Sequence, residues 1–165
     1  FDKSMADVIS RVQCPVFIYH IRGTPQTMQE GEFVYQDVVA GIAAFFEEQI
    51  TYGISRGITK EQFILDPGIG FGKTAEQNIE IIQRFGEFEK LHAPLAIGVS
   101  RKTHIGKILE EELGLATLPS PQERLEGALA ETAMAVMHGA HIVRTHDVGA
   151  TKKFLAVWDR LARES

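Results

Sequence analysis

Polar residues able to do chemistry stand in pairs two apart, each pair at the end of an apolar run: His20 and Arg22, Ser100 and Lys102, Arg144 and His146. A further run, Phe63-Ile64-Leu65, ends on an acid, Asp66, and then turns through Pro67-Gly68. On a strand, a spacing of two puts both side chains on one face. The charge types indicate a ligand. Arg144, Lys102 and Arg22 are cations for an anionic group such as pyrophosphate, which a guanidinium can grip through two parallel bonds. Asp66 can accept from the N–H edge of an aminopyrimidine-like ring. Phe71, a large aromatic between Gly70 and Gly72, offers an exposed stacking platform. An acid, an aromatic and an anion clamp together suit a flat heterocycle carrying phosphate.

The Gly-rich stretch "ILDPGIGFGKTAEQN", Ile64 to Asn78, looks like a phosphate-cradling P-loop, but its spacing is wrong. Counting back from Gly72-Lys73-Thr74, the first glycine of a P-loop falls on Pro67, which has no N–H to give a phosphate. The dinucleotide pattern fails as well, because the glycine after Gly68 and Gly70 is Gly72 and not residue 73. The stretch reads instead as a strand that delivers Asp66 to its C-terminal rim.

Plainer roles compete for several residues. His92, His104, His138 and His141 read as structural or solvated histidines, and Lys73 and Lys107 as solvated loop lysines. Asp66 also suits a turn before Pro-Gly. Asp147 suits the cap of the last helix, where a carboxylate satisfies free N–H groups.

The elements that must position these residues alternate strictly. Predicted strands span residues 15–20, 62–67, 94–100 and 141–148. Predicted helices span 34–57, 75–91, 121–140 and 150–165, with a short helix over 101–114. Each helix has apolar positions three and four apart, such as Val38, Ile42, Phe45 and Phe46, so one face is buried. Gly53, Gly57 and Gly139 stand near helix ends, where C-cap glycines occur. Strict βα alternation predicts parallel strands, whose C-terminal rim binds ligands in α/β folds. The pattern alone fits equally half of a (β/α)₈ barrel and a doubly wound sheet.

Composition sets the class. The chain has 165 residues, 44% hydrophobic and 24% charged, as a soluble globular domain has. A net charge of −5 without a basic cluster argues against nucleic-acid binding. The single cysteine, Cys14, fits a reducing, cytoplasmic setting. No run has the length of a membrane span. The opening "FDKSMADVIS" lacks an initiator methionine and reads as the interior of a longer chain.

The motifs "HIRGTPQTMQ", "FILDPGIGFGKTAEQN", "AIGVSRKTHIGKIL" and "IVRTHDV", in this order, resemble dihydropteroate synthase, the folate-pathway enzyme and sulfonamide target. The resemblance covers essentially the whole chain. It implies a (β/α)₈ TIM barrel, of which residues 1–165 are the C-terminal half, roughly its last four βα units. It also implies condensation of hydroxymethyl-dihydropterin pyrophosphate with p-aminobenzoate, pyrophosphate release assisted by Mg²⁺, and a homodimer. By the same resemblance, Asp66 and Lys102 are the pterin-binding acid and lysine, and Gly98 is pocket wall. Arg144 and His146 are the pyrophosphate binders. Phe71 and Ser100 match the aminobenzoate side, with Arg101 nearby. Lys102, Arg144 and His146 are the residues expected to act in catalysis, mostly by stabilising the departing pyrophosphate.

Two departures stand out. Tyr19 and Ile21 occupy positions where the family usually has methionines. The strands expected to carry the family's further Asn and Asp ligands, its metal contacts and its two mobile loops are not in this sequence, so the isolated chain is expected to be inactive. Competing functions are a pterin-binding methyltransferase, which would have no pyrophosphate for Arg144 and His146, and a catalytically silent barrel domain.

Overall fold

The structure is a computed structural model that describes residues 4–23 and 35–162. The motif over residues 20–29, the first residue of the helix predicted over 34–57 and the last three of that over 150–165 lie in part outside the described residues. In chain order the elements are α1 (Met5–Val12), β1 (Val16–Tyr19), α2 (Val38–Ser55), β2 (Phe63–Asp66), α3 (Ala75–Gln83), β3 (Ala96–Ile97), α4 (Thr103–Leu113), α5 (Leu125–Met137), β4 (Ile142–Val143) and α6 (Val148–Ala162). No helix among the described residues is long and apolar enough to cross a membrane.

All strand pairings are parallel. Val16 to Tyr19 lie opposite Phe63 to Asp66, and Ala96 and Ile97 lie opposite Ile142 and Val143. A bridge between Leu65 and Leu95 joins the two pairs, with the Leu65 N–H donating to the Pro94 carbonyl at 2.9 Å. The strands therefore follow one another in chain order. A doubly wound sheet reverses its order at a switch point, and these four strands contain no reversal.

Strand alternation separates two faces. Val16, Ile18, Phe63, Leu65, Leu95, Ile97, Val99 and Val143 join one core with the buried residues of α2 and α3. Its largest side chains include Phe46, Phe63, Phe85 and Phe88, all nearly inaccessible. Truncating a phenylalanine in such a position to alanine costs about 3–5 kcal/mol. The alternate residues, among them Phe17, Tyr19, Asp66, Gly98 and Arg144, belong to the opposite face. Phe17 and Tyr19 there are 50% and 42% exposed.

Local chemistry sets the boundaries. Asp37 begins α2 in extended conformation, its carboxylate accepting from the Ala40 N–H at 2.8 Å. The helix ends in a Schellman motif, Gly57 N–H to the Ile54 carbonyl and Ile58 N–H to the Gly53 carbonyl, with Gly57 at φ +85. Gly53 is not a cap: it lies buried inside α2, where a Cβ would come within 2.6 Å of the Phe63 ring. Thr74 and Gln77 form a reciprocal capping box on α3.

The helix predicted over 75–91 divides. After Gln83 the chain winds as a 3₁₀ helix over Phe85–Leu91, because Phe85, Phe88 and Leu91 are spaced by three and one 3₁₀ face buries all of them. Likewise Pro121–Arg124 form a 3₁₀ turn before α5. The last two strands are shorter than predicted, since beyond Ile97 and Val143 the rim residues exchange ladder bonds for side-chain bonds: the His146 N–H donates to Ser100 Oγ at 3.2 Å. An unpredicted helix, α1, buries Ala6 and Ile9.

Candidate active site at the C-terminal rim

The site gathers where β2, β3 and β4 end. Asp66 is 4% exposed. Its Oδ1 accepts from the Gly68 N–H at 2.8 Å, so the turn role and the acid role coexist in one residue. Its Oδ2 faces Arg144 Nη2 at 3.8 Å. Burial pushes this carboxyl above its ordinary range, while the Gly68 N–H and then Arg144, Lys102 and Lys73 pull it back.

Arg144 reaches Asp66 across Gly98, where a Cβ would stand 2.9 Å from Nη2. The wall position assigned to Gly98 is therefore, in this structure, the floor on which the guanidinium rests. Ser100 is buried, and its Oγ lies 3.0 Å from His146 Nδ1 besides accepting the His146 N–H. His146 is exposed beyond that bond.

Lys102 and Phe71 meet directly, Nζ lying 4.0 Å from the ring centroid, a cation–π contact. Gly70 admits the lysine stem: a Cβ there would come within 2.9 Å of Lys102 Cδ. Burial, and next the neighbouring Arg144, push the Lys102 ammonium below its ordinary range. Phe71 is not an open platform. It is half-buried, with Lys102 over its ring and Tyr19 at 5.8 Å between centroids.

Arg101 turns the chain between Ser100 and Lys102 in the left-handed region, at φ +61. Arginine rarely adopts that conformation without support. Here the buried Arg124 donates from Nη1 to the Arg101 carbonyl at 3.0 Å and anchors its own fork on the Pro119 carbonyl. The Arg101 side chain grips Asp147 through two bonds, 2.8 and 3.2 Å, which hold that carboxyl below its ordinary range. Asp147 immediately precedes α6 as expected, but its carboxylate serves Arg101.

Several expectations change. His20 ends β1 but continues the parity of Val16 and Ile18, so its ring turns to the helix side, edge-on to Phe45 at 5.1 Å and Tyr35 at 6.2 Å. Burial, with repulsion from Lys73, pushes it down to about 3, and it stays neutral. Arg22 lies over Tyr35, 5.7 Å from the ring centroid. Lys73 is buried and not solvated: its Nζ donates to the Gly68, Phe71 and His20 carbonyls at 2.8, 3.1 and 3.3 Å. Burial lowers the Lys73 ammonium to about 7, against the pull of Asp66. The readings of His104, His138 and His141 as structural hold: His104 bonds Glu131 at 2.7 Å, His138 meets the Ile82 carbonyl, and His141 accepts from Leu95 N–H. Lys107 is exposed on α4.

Two supporting residues, Asn78 and Arg124, are not singled out by the sequence, and a third, Lys73, reads there as a solvated loop lysine. Asn78 accepts the Gly70 N–H at 2.8 Å and donates to the Thr74 carbonyl, while Lys73 and Arg124 bind backbone carbonyls as described. Their signal is weak in sequence, because their partners are main-chain groups of any residue type. Electrostatically, the centre sets Lys102 and Arg144, joined by Lys73 below about pH 7, against one carboxylate, Asp66. Such a site receives anions. Among the described residues no cluster of three His, Cys, Asp or Glu could hold a metal ion.

Comparison with known proteins places the chain in a family. Residues 1–146 match the family described as Pterin binding enzyme. Dihydropteroate synthase of Synechocystis is 42% identical over 163 residues, 99% of this chain and 54% of that protein. The solved dihydropteroate synthase of Yersinia pestis with a sulfonamide drug complex superposes with a TM-score of 0.90 at 30% identity, covering 99% of this chain and 57% of that one. The Xanthomonas albilineans enzyme in complex with 7,8-dihydropteroate gives 0.82 at 30%, covering 98% and 55%. The chain spans about half the length of the curated relatives it matches. With a family match running from its first residue to His146, through every strand and the rim residues Asp66, Ser100, Lys102, Arg144 and His146, this chain belongs to the pterin-binding enzymes.

Proposed function

We propose that the protein carrying this chain is a dihydropteroate synthase, and that residues 1–165 supply the C-terminal half of its (β/α)₈ barrel. Four parallel strands in chain order, with helices packed on one face, support the barrel reading. The observation that carries the functional reading is the buried Asp66, with one oxygen held by its turn and the other turned to Arg144. A pterin ring entering over Gly98 would give its N–H edge to Asp66, with Lys102 beside it. Its pyrophosphate would meet Arg144 and the exposed His146. p-Aminobenzoate would approach along Phe71 and Ser100, with Arg101 bracing that turn from behind.

In the reaction, the bond from the pterin methylene carbon to the pyrophosphate oxygen breaks, and the electron pair leaves with oxygen. The aminobenzoate nitrogen then gives its lone pair to the carbon and loses a proton. Arg144 and His146 stabilise the departing charge, which in a preorganised, partly dry site is the larger share of catalysis. No step is assigned to Mg²⁺ on the residues described. The same proposal includes a cytoplasmic setting, inhibition by sulfonamides, and a homodimer, to which the exposed Met137, Val157 and Leu161 of α5 and α6 offer apolar surface. A methyl-transferring pterin enzyme would leave Arg144 and His146 without an anion.

The test uses the full-length protein with both substrates, following pyrophosphate and dihydropteroate together. Equal release of both is expected. Pyrophosphate release that does not depend on p-aminobenzoate would overturn the proposal.

A further inference from the structure

The loop that carries Phe71 is tied to the sheet by a residue with no direct place at the rim surface. Lys73 is 6% exposed, and its Nζ has three carbonyl partners: Gly68 at 2.8 Å, Phe71 at 3.1 Å and His20 at 3.3 Å. An ammonium has three donors and no acceptor, so three carbonyls match it fully. A buried cation without such partners would be strongly disfavoured. The partners lie on separate pieces of chain: His20 follows β1, Gly68 is in the turn after Asp66, and Phe71 is at the loop tip. The loop can lie this close to β1 only because residue 68 is glycine; at φ +70 a Cβ would come within 1.9 Å of the His20 carbonyl oxygen. From the other side, Asn78 holds the loop by its Gly70 N–H.

We propose that Lys73 is a positioning residue of the candidate site: its ammonium fills a cage of main-chain carbonyls and thereby fixes the Asp66 turn and the Phe71 loop against β1. The assignment rests on the dihydropteroate synthase reading for its kinetic consequence, but not for its structural one. The same positive charge faces Asp66, so one side chain both holds the acid's turn and favours the ionised acid. Three carbonyls held by one ammonium form a cooperative unit. Removing the charge frees all three at once.

The experiment compares full-length wild type, Lys73→Met and Lys73→Ala. Hydrogen exchange of the backbone amides of residues 68–73 is expected to quicken about tenfold or more in Lys73→Met, as loss of bonds to a charged group implies, while amides of α2 and β2 keep their protection. In the same variant, KM for p-aminobenzoate is expected to rise about tenfold with a smaller change in kcat. Ammonium ions, entering the vacated cage, are expected to restore loop protection in Lys73→Ala, and sodium ions are not. Unchanged loop exchange in a folded variant overturns the proposal. If wild type forms no dihydropteroate, the functional reading fails while the exchange measurement still decides on Lys73. Should neither variant fold, nitrogen-15 spectra of the wild-type lysine ammonium groups decide: one slowly exchanging, hydrogen-bonded ammonium is expected, and none overturns the assignment.

Discussion

Arg144 lies across Gly98 so that its Nη2 stops 3.8 Å from Asp66 Oδ2, although the two residues stand at the ends of β4 and β2 with β3 between them. At that distance the pair is a charge contact, too long for a direct hydrogen bond. The partners are unequal: the Arg144 side chain is 61% exposed and that of Asp66 5%. Exposed cations are released into water at little cost. Arg144 can therefore swing from Asp66 to an incoming anion, while Asp66 stays fixed by the Gly68 N–H.

The anion role of Arg144 is tested by comparing two ligands on the full-length protein. Arg144→Ala is expected to weaken binding of pterin pyrophosphate about 10- to 100-fold, the range for a charge-assisted pair. Binding of the unphosphorylated pterin should stay nearly intact. Equal losses by calorimetry for the two ligands would sink the assignment.

For Asp66, the substitution to Asn separates the turn from the acid. Asparagine keeps an oxygen for the Gly68 N–H, so the turn survives. Its NH₂, however, would face Arg144 and the ring N–H groups, leaving donors against donors. Pterin affinity is expected to fall by about 1–3 kcal/mol. An unchanged affinity would leave Asp66 as a turn residue only.

Much of the rim was legible because strand chemistry is local. An apolar run ending on a polar residue before Pro-Gly or Arg-Lys is visible without knowing its neighbours, and Asp66, Ser100, Lys102, Arg144 and His146 all occupy rim positions as expected. Face assignment is where the reading of His20 departs. A spacing of two tells which residues share a side, but not which side is the core; the parity of Val16, Ile18 and His20 points to the helices. The 3₁₀ helix had a signal in the triplet spacing of Phe85, Phe88 and Leu91, and α1 one in Met5, Val8, Ile9 and Val12. Lys73 and Arg124 had none. Their burial depends on carbonyls that only the folded backbone brings together.

The neutral His20 gives a pH test. Its folded value, about 3, lies below its ordinary 6.5, so the unfolded chain binds the extra proton between those values. Stability from this residue is complete above pH 6.5 and is lost as pH falls towards 3, by about 1.4 kcal/mol per unit once well below 6.5. The imidazole carbon-proton signal of His20 should not shift between pH 8 and about 5. His20→Phe should flatten the acid limb of urea stability. A titration of His20 near its ordinary value would show that its ring is not confined by Phe45 and Tyr35.

The last prediction concerns what this chain can do by itself. On the sheet face away from the helices, Phe17 and Tyr19 remain about half exposed. Beside β1 an apolar groove of about 580 Å³ opens among Met5, Ile9, Phe17, Phe45 and Tyr52. Among the described residues no strand pairs with the free edge of β1, and an uncovered edge is a template for pairing with another strand. Under the dihydropteroate synthase proposal, that edge and face are where the rest of the barrel belongs, together with the remaining ligands of the pterin. The 165-residue chain expressed alone is therefore expected to release no measurable pyrophosphate. Co-expression with the remainder of the full-length protein should cover Phe17 and Tyr19, seen as slower exchange in β1, and restore part of the activity. Pyrophosphate release by the isolated chain at the rate of the whole enzyme would show that Asp66, Lys102, Arg144 and His146 need no partners from outside it.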